Sequence, residues 1–512
     1  MDATLVEEIK RYISTNDSAS LIKAMHNYHL GIDDFLDTEK SETALSIAIK
    51  LKQKDMVAFL LQSGANPNLC VRSETLLILA ILSDEPEIVK LLLDHDALSD
   101  VSDDNGNTPV ALSIKRNQLL ILTYLVKAGA NLHAKDKFGK RPIDYIHSST
   151  DQNLAIYLQH ATLMQEKALH WPEYTDGPFV EWKDSSSFEL KYFYTRDRRL
   201  CEKSELFHSV KLPFVLKSSI LFHPVEIKRH YDRSPGICDM PERLLAIGDL
   251  HGNLQSLLSL MIGNKIIDAA FNWIWGNGQI VFIGDLFDRG CQVTELIWFV
   301  QHFESQAQIN GGRVHLILGN HEIMALIGDH RYLNEKYRNI CEYFSMNYWE
   351  FYTPDSELGR FIRSKPAILK IGDILFVHAG IGPELLSKML SINEINDVIY
   401  NTLSDNKRKL NELEIFMLLD DGPLWFRDLL HEYSYFQTLS ESYIDSVLSF
   451  YEVSHIIIGH SEIPEINSRY NGKVIAINVP FYHSMYTPQA LLIECNQYFI
   501  IGADGEKKLF LK

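Results

Sequence analysis

The first third of the chain repeats itself at a period close to 33 residues, and this period restricts the fold more than any other feature. A threonine that precedes an apolar run recurs at steps of 32 and 33 residues, at Thr43, Thr75 and Thr108. The residue that follows the second apolar run of each unit recurs at the same steps, at Gly64, Asp96 and Gly129. A fixed period of this length, with two short helices and a turn per unit, predicts a helical solenoid.

Each unit is too small to be stable alone. One helix pair cannot bury its apolar face, whereas stacked pairs share a continuous core. Gly64 and Gly129 stand where a second helix ends in a left-handed residue, and Asp96 fits there because aspartate tolerates that conformation. The pattern resembles ankyrin repeats. We expect further units at the two ends of the array, over Leu5–Asp37 and from Arg141 to about His160.

The repeats contain no candidate catalytic residue. Their resemblance to ankyrin repeats implies a concave surface that docks a protein, and the alternative is a stabilising or spacer array. Alternating apolar and aromatic stretches over Asp176–Met240 predict strands and turns that we assign to the following domain. The expected domains are therefore a repeat domain over residues 1–162, a linker over 163–175 and a catalytic domain over 176–512.

Composition narrows the class of protein. The chain has 512 residues, of which 46% are apolar and 23% charged, as expected for a globular protein of more than one domain. The net charge of −18 disfavours nucleic acid as a partner, because a phosphate backbone would be repelled. No apolar run approaches the roughly 20 residues that span a bilayer.

The six cysteines are scattered and form no C-x-x-C pair, which is typical of reduced thiols in a cytosolic protein. The first residues lack the basic and apolar segments of a signal peptide. We therefore expect a cytoplasmic protein. The pairing of a bacterial-type domain with ankyrin repeats also suggests the hypothesis of a bacterial effector that acts in the cytoplasm of a host cell.

Five short polar blocks follow apolar, β-branched runs in the rest of the chain, and each is interpreted as the carboxyl end of a strand. The blocks are Gly248–Asn253, Gly284–Gly290, Gly319–Glu322, His378–Gly380 and Gly459–His460. Because ligand sites of open α/β sheets lie outside such ends, two Asp, three His and one Asn are expected to converge on one crevice. Oxygen and imidazole donors of this kind suit two divalent ions.

The spacing of the first three blocks supports this interpretation. Asp249 and Asp285 are 36 residues apart, and Asp285 and Asn320 are 35 apart. Each interval fits one crossover between parallel strands. Helical stretches such as Asn253–Asn264 and Cys291–Gln306 lie between them.

These blocks resemble the calcineurin-like metallophosphoesterase superfamily, in its phosphoprotein-phosphatase branch, because GNHE stands at Gly319–Glu322. The runs Leu318–Tyr332, Leu358–Ile381 and Gly422–Arg427 are similar to the bacterial Shewanella-like phosphatases. The resemblance implies an α/β domain built on a two-sheet β-sandwich flanked by helices. The predicted fold is therefore multidomain, with an all-α ankyrin solenoid followed by that domain.

The resemblance also implies the ligands of two transition-metal ions, with manganese expected first and iron or zinc as alternatives. Asp249 and His251 correspond to ligands of the first ion, and Asp285 to the carboxylate that bridges both. Asn320, His378 and His460 correspond to ligands of the second ion. The implied reaction is direct attack on phosphorus by a hydroxide that bridges the ions.

The remaining site residues are assigned through the same resemblance. His321 corresponds to the acid that protonates the leaving group, with Asp288 as its partner. Arg289 and Arg427 correspond to arginines that hold the phosphate, and Asn320 to a further substrate contact. Glu322 is expected to orient the site without binding metal. Two departures from the family pattern are Ser461, where Thr is frequent, and Asn478, where Asp would be expected.

We therefore expect a metal-dependent phosphomonoesterase, and specifically a protein phosphatase whose partners are a phosphoprotein substrate and a protein docked by the repeats. A hydrolase of nucleotides or dinucleoside polyphosphates is the second interpretation, which GNHE disfavours. An ankyrin adaptor with an inactive phosphatase domain is the third. Preference for phosphoserine, phosphothreonine or phosphotyrosine stays open, because it depends on the loops over Ile327–Leu358 and Leu430–Ser440.

Overall fold

The computed structural model describes residues 3–28, 30–36, 42–72, 74–103, 106–147, 149–168, 173–218, 221, 223–404, 409–430, 439–481 and 486–511. It divides into two compact units. The repeat unit comprises Met1–Thr175, Lys191–Glu205 and Glu342–Phe344. The sheet unit comprises Asp176–Leu190, Leu206–Cys341 and Ser345–Lys512.

The repeat unit is built from helix pairs, as the period predicts. Its helices are α1 (Ala3–Ser14), α2 (Ser18–Asn27), α3 (Ala44–Lys50), α4 (Lys54–Gln62), α5 (Leu76–Leu82), α6 (Pro86–Asp94), α7 (Pro109–Lys115), α8 (Leu119–Lys127) and α9 (Gln152–Ala168). Short strands β1 (Cys70–Val71) and β2 (Glu74–Thr75) pair between α4 and α5, and a 3-10 turn covers Pro142–Tyr145.

The recurring residues explain the period. Each recurring threonine caps the first helix of its unit, because its side-chain oxygen accepts a backbone N–H three residues on, from Ser46, Ile78 and Ala111. The residues that end the second helices are left-handed, with φ of +91°, +65° and +82° at Gly64, Asp96 and Gly129. Leucines at the same period are fully buried in one core, at Leu60, Leu92 and Leu125.

A strand pair that follows the repeats in sequence belongs to the repeat unit. Strands β3 (Thr175–Trp182), β4 (Phe188–Arg196) and β5 (Arg199–Phe207) form a sheet, and residues Lys191–Glu205 group with the repeats. Lys127 Nζ lies 3.1 Å from the Glu202 carboxylate, and Arg199 Nη1 lies 2.7 Å from Asp100 Oδ2. The side chain of Cys201 is buried against Gly129.

The interval 163–175, which we expect to be a linker, begins inside a helix. Helix α9 continues to Ala168, and β3 starts at Thr175. Residues 169–172 lie outside the described residues, as does Asp37 at the end of the expected first unit. The domain boundaries therefore stay a prediction.

The sheet unit contains the remaining strands and helices. Its strands are β6 (Phe214–Leu216), β7 (Val225–Ile227), β8 (Ile237–Cys238), β9 (Arg243–Ile247), β10 (Gln279–Phe282), β11 (Arg313–Leu316), β12 (Ile368–Ile371), β13 (Ile374–Val377), β14 (His455–Ile458), β15 (Asn467–Arg469), β16 (Val474–Ala476), β17 (Gln489–Glu494), β18 (Gln497–Gly502) and β19 (Lys507–Leu511). Its helices are α10 (Leu254–Gly263), α11 (Val293–Ile309), α12 (Asn320–Ile327), α13 (Glu335–Phe344), α14 (Glu357–Arg363), α15 (Pro383–Ser387), α16 (Ile392–Ser404), α17 (Glu412–Leu418) and α18 (Glu441–Tyr451).

Two six-stranded sheets pack face to face in this unit. One has the order β11-β10-β9-β17-β18-β19, and the other has the order β15-β16-β14-β13-β12-β8. Ala246 and Val281 of the first sheet share one apolar core with Phe376 and Ile457 of the second. The predicted two-sheet sandwich is therefore confirmed. Within the described residues, no helix is long and apolar enough to cross a membrane.

The strands that carry the polar blocks run in parallel within each sheet. Strands β9, β10 and β11 are parallel neighbours in the first sheet, and β13, β14 and β16 are parallel neighbours in the second. The carboxyl ends of each parallel set therefore lie at one edge of its sheet. Every predicted site block follows one of these strands, apart from Arg427.

Candidate active site

The side chains of the predicted site converge and are buried. Those that follow the parallel strands are each at most 7% exposed, namely Asp249, His251, Asp285, Asp288, Asn320, His321, His378 and His460. Burying this many ionisable groups is costly unless they pair with one another or bind ions. Their mutual distances show which of the two applies.

Asp285 lies at the centre of the cluster. Its Oδ2 atom is 3.2 Å from His378 Nε2, 3.8 Å from His251 Nε2 and 3.9 Å from His321 Nε2. Two groups of three potential metal donors share this carboxylate, one with His251 and His321 and the other with His378 and His460. A carboxylate shared by two donor groups has the position required of a bridging ligand.

Backbone carbonyls orient two of the imidazoles. His251 Nδ1 lies 2.8 Å from the carbonyl of Phe287, and His378 Nδ1 lies 2.7 Å from the carbonyl of Ile283. Because a carbonyl only accepts hydrogen bonds, each Nδ1 carries the hydrogen and each Nε2 is directed at Asp285. Fixing the outer ring nitrogen in this way is how proteins hold metal-binding histidines.

His378 Nε2 faces two oxygens at once. The Asn320 Oδ1 atom is 3.0 Å away, and Asp285 Oδ2 is the other. Burial lowers the pKa of His378, but the Asp285 carboxylate outweighs burial and raises that pKa to about 9. Positive charge is therefore favoured between these atoms, as a proton or as a bound cation.

His460 provides the clearest test of whether a metal fits. Its Nε2 atom is buried and has no hydrogen-bond partner among the described residues. Burial holds the pKa of this imidazole well below its ordinary value, which favours the neutral ring that a metal ligand requires. An unpartnered buried donor beside Asp285 and His378 fits a divalent ion.

Asp249 lies beside the two donor groups. Its Oδ1 accepts the backbone N–H of His460 at 3.2 Å, and its Oδ2 accepts a hydrogen bond from Asn478 Nδ2 at 2.6 Å. Burial raises the pKa of Asp249 to about 7, so the isolated carboxylate is only partly ionised near neutral pH. A nearby divalent ion would favour the ionised form.

Asn478 is a site residue that sequence reasoning treated only as a departure from the family. It follows β16, is 1% exposed, and its Oδ1 is buried without a hydrogen-bond partner among the described residues. The signal that could have identified it is a polar residue directly after the apolar run Val474–Ile477. That is the same pattern that revealed the other blocks.

A hydrogen bond fixes the predicted acid. His321 Nδ1 lies 2.6 Å from Asp288 Oδ2. Burial lowers the pKa of His321, but the carboxylates of Asp285 and Asp288 outweigh burial and raise it above the ordinary value. The protonated form of this imidazole is therefore favoured, and its Nε2 lies on the side of Asp285.

Glu322 supports the backbone of the site. Its carboxylate accepts the backbone N–H groups of Asp285, Leu286 and Gly319 at 2.7–2.8 Å. Three such hydrogen bonds hold the Asp285 and Gly319 turns against each other. This geometry agrees with an orienting role for Glu322.

The two arginines differ in their surroundings. Arg289 Nη1 lies 2.5 Å from Glu462 Oε1, so its charge is already paired. The Arg427 side chain is half-buried, and burial lowers its pKa against the opposing attraction of the Asp285 and Asp249 carboxylates. Both arginines therefore carry positive charge at or near the cluster.

Glycines leave room for the cluster. A Cβ atom on Gly459 would lie 2.5 Å from Asp249 Oδ1, and one on Gly284 would lie 2.5 Å from the backbone nitrogen of Gly319. Gly284 also has a φ of +97°. Close backbone approach at these glycines therefore restricts the site as well as the polar residues do.

The loops expected to shape the substrate rim are described in part. Asp329 and Arg331 form a bidentate ion pair in the first of them. Tyr332 places its ring 5.2 Å from the His321 ring. Residues 431–438, most of the second loop, lie outside the described residues.

Comparisons with known proteins agree with this geometry. The family described as calcineurin-like phosphoesterase matches residues 242–464, and ankyrin repeats in three copies match residues 45–136. Shewanella-like protein phosphatase 1 of Plasmodium berghei is 29% identical over 272 residues, which cover 52% of this chain and 73% of that protein.

Two solved structures are also similar. A cold-active protein tyrosine phosphatase is 30% identical with a TM-score of 0.59, and covers 66% of this chain and 98% of its own. The cold-active protein-tyrosine phosphatase of a psychrophilic Shewanella is 31% identical with a TM-score of 0.57, and covers 66% and 99%. The chain therefore belongs to the calcineurin-like metallophosphoesterases, is similar to the Shewanella-like protein phosphatases, and carries ankyrin repeats on the N-terminal side of that domain.

Proposed function

We propose that the chain is a phosphoprotein phosphatase that works with two divalent transition-metal ions. The observation that carries the proposal is the convergence of buried imidazoles on Asp285, with His460 Nε2 left without a hydrogen-bond partner among the described residues. Carboxylate, imidazole and amide donors together suit manganese, iron or zinc better than magnesium or calcium. Manganese is the first ion to test.

The proposed ligands are six residues, with Asp285 shared between the ions: Asp249, His251, Asp285, Asn320, His378 and His460. When bound, the ions would activate a water molecule and neutralise charge on the phosphate. The chain contributes orientation, because carbonyls fix two of the imidazoles and Asn478 holds the Asp249 carboxylate. Burial excludes bulk water from the same atoms and strengthens their electrostatic interactions.

His321 is proposed as the proton donor to the leaving oxygen. Asp288 holds Nδ1 at 2.6 Å, which directs Nε2 toward Asp285 and the centre of the site. A raised pKa keeps the ring protonated until the ester bond breaks. The proton then passes from Nε2 to the departing oxygen.

Arg427 is proposed as the main phosphate-binding group. Its guanidinium is attracted by the site carboxylates, and no ion pair with a described residue occupies it. Arg289 would have to share its charge between the phosphate and Glu462. Asn320, at the start of α12, is the third proposed substrate contact.

A panel of phosphopeptides assayed with manganese tests this function. Because the two structural relatives are tyrosine phosphatases by name, we expect release of phosphate from phosphotyrosine peptides. Comparison with phosphoserine and phosphothreonine peptides defines the preference. Faster cleavage of a dinucleoside polyphosphate than of every peptide would replace the proposal with a nucleotide hydrolase. Absence of hydrolysis with each ion tested would favour an inactive domain in an adaptor.

We further propose that the repeats dock a protein partner through their exposed turns. Deletion of Met1–His160 is a poor test, because residues Lys191–Glu205 would lose the repeat surface on which they pack. Full-length protein with Arg72→Glu and Lys137→Glu is preferable, because both side chains are exposed. Charge reversal at the exposed Arg11 and Lys23 provides the matched control.

The docking proposal predicts a selective loss. The turn variant should dephosphorylate a phosphorylated protein mixture more slowly, because docking raises the effective concentration of the substrate. Its rate on a small aryl phosphate should equal that of the control. Equal rates of both variants on both substrates would remove these turns as the docking surface.

A further inference from the structure

The sheet unit contains a cationic cleft in addition to the predicted active site, and its lining includes none of the predicted active-site residues. The cleft has a volume of about 450 Å³. Arg229, which follows β7, lines it together with Arg360 and Arg363 of α14 and Tyr400 of α16. Three guanidinium groups thus meet in one concave surface of a chain whose net charge is −18.

Arg229 lacks an acceptor. Its side chain makes no hydrogen bond or ion pair with any described residue, and its Nε atom is buried without a partner. Its nearest charge-compensating contact is the face of Trp182, whose centroid lies 5.8 Å away. A buried N–H group without an acceptor costs free energy, so this position favours a ligand that supplies one.

Arg363 carries a second charge without a carboxylate. It is 6% exposed, and it donates to the carbonyls of Tyr352, Gly359 and Leu403. Those bonds fix the side chain but leave its positive charge uncompensated, since no described carboxylate lies within ion-pair distance of it. Arg363 therefore forms a rigid cationic base for the cleft.

Nearby carboxylates do not neutralise the cleft. Asp355 Oδ1 lies 3.2 Å from Arg360 Nη2, but its side chain is 70% exposed. Glu357 is fully buried and directed elsewhere, because its carboxylate accepts from Trp182, Tyr231 and the backbone N–H groups of Lys228 and Arg229. Three guanidinium groups thus face one solvent-screened carboxylate.

We propose that this cleft binds a small phosphate-bearing anion, with Arg229 and Arg360 as the groups that grip the phosphate. Guanidinium forks match phosphate oxygens in pairs. Low-dielectric walls of one charge sign concentrate an anion. The volume lies within the range of about 300–1,000 Å³ that is usual for small-molecule sites. The inference does not rest on the proposed catalytic function, because the two sites share no residue.

Binding of radiolabelled inorganic phosphate to the full-length chain with manganese tests the proposal. We expect two binding events, one at the active site and one at the cleft. Arg229→Gln should weaken the cleft event about tenfold or more, because a charge-assisted pair of hydrogen bonds is lost. It should leave aryl phosphate hydrolysis unchanged. Arg198→Gln, at an exposed arginine, makes the same charge change elsewhere and should alter neither event.

A complementary variant separates this proposal from the catalytic one. Arg427→Gln should weaken the other binding event and slow hydrolysis, while phosphate still binds the cleft. If Arg427→Gln changed nothing, the catalytic assignment would fail and the cleft would stand. Because the Arg229 side chain makes no hydrogen bond with the part of the chain that the structure describes, its replacement should preserve the melting temperature measured without phosphate.

Two further measurements complete the test. Repeating the titration with ADP shows which kind of molecule supplies the phosphate group. Tighter binding of ADP than of phosphate indicates a nucleotide, and equal binding indicates free phosphate. Both results support the site. Arg229→Lys, which keeps the charge but loses the fork, should bind with intermediate affinity. The proposal is overturned if Arg229→Gln binds phosphate as tightly and in the same amount as the unmodified chain. It is also overturned if a glutamate-rich peptide, and not phosphate, occupies the cleft.

Discussion

The repeat unit and the active site use the same unusual backbone conformation for opposite purposes. In the repeats, left-handed residues end helices, at Gly64, Asp96 and Gly129, and recurring threonines satisfy the helix starts. In the candidate active site, left-handed conformations occur at the proposed site residues themselves, with φ between +44° and +67° at His251, Asp285, Asp288, Arg289 and His460. One of these residues also has an unpartnered ring nitrogen.

The difference shows where each region places its energetic costs. A left-handed residue other than glycine costs on the order of 1–3 kcal/mol and persists only where its surroundings over-determine it. The repeats keep such costs in short turns, where small or polar residues tolerate them. In the active site, these energetic costs fall on the residues that would bind metal and phosphate. Hydrogen bonds to Glu322 and close backbone contacts at glycines hold the turns of those residues in place. Changes in the two regions should therefore separate activity from stability.

The largest expected effect is at the shared carboxylate. Chelation should abolish hydrolysis of an aryl phosphate, and Asp285→Asn should lower the rate by about 10³-fold or more, because bound ions contribute several kcal/mol. Metal content by elemental analysis should fall together with the rate. Asp329→Asn is the matched control, since among the described residues Asp329 forms an ion pair only with Arg331. Unchanged activity and metal content in Asp285→Asn would refute the bridging role.

His321→Ala comes next. Loss of a general acid should slow hydrolysis by about 10²–10⁴-fold for substrates with poor leaving groups. The loss should be smaller for phenols that depart without a proton, and metal content should stay close to that of the unmodified chain. Because His321 Nε2 also lies 3.9 Å from Asp285, a parallel loss of metal would make it a ligand instead. An equal loss across all leaving groups would also exclude the acid role.

Asn478→Ala should have an intermediate effect. Removal of the amide that holds Asp249 should weaken metal affinity by about 10–100-fold, as is typical of groups that orient a ligand. Competition with a chelator measures this affinity. Asn310→Ala, at an exposed asparagine, is the control. Retention of full affinity in Asn478→Ala would mean that Asp249 is positioned without this hydrogen bond.

The smallest effect is expected in the repeats and should be confined to stability. Thr75→Ala removes the cap of α5 and should lower the free energy of unfolding by about 1 kcal/mol, without changing the rate on an aryl phosphate. Denaturant unfolding followed by circular dichroism checks this value. Thr15→Ala should lack the effect, because among the described residues that exposed hydroxyl bonds only back to the Arg11 and Tyr12 carbonyls. A loss of activity in Thr75→Ala with folding intact would contradict the expectation that changes in the repeats affect stability and not activity.

The repeats could be predicted closely because each unit uses the same local interactions to start, bury and end its helices. A threonine, a buried leucine and a left-handed residue recur at one period, so each position has counterparts in the sequence itself. The strands ILFV and HIII coincide with β13 and β14 for a similar reason, since a short apolar run is a local signal.

The active site was predictable in position but not in its supporting contacts. Polar residues after apolar runs indicated where the side chains would converge. The hydrogen bond of Asn478 to Asp249 was not visible, because residues 229 positions apart meet only through the packing of two sheets. The arginine cleft was missed for the same reason, since Arg229 and Arg363 belong to no common motif.

The strand pair that packs on the repeats affects how such a protein can be assembled by gene fusion. Residues 191–205 are encoded after the repeats, yet they cover Gly129 with Cys201 and pair Glu202 with Lys127. A recombination breakpoint placed at the apparent end of the ankyrin segment would separate these partners and expose an apolar surface to water. Exchange of these repeats between phosphatases would therefore require the transferred segment to extend through β5, or a recipient whose own strand pair matches the incoming helices.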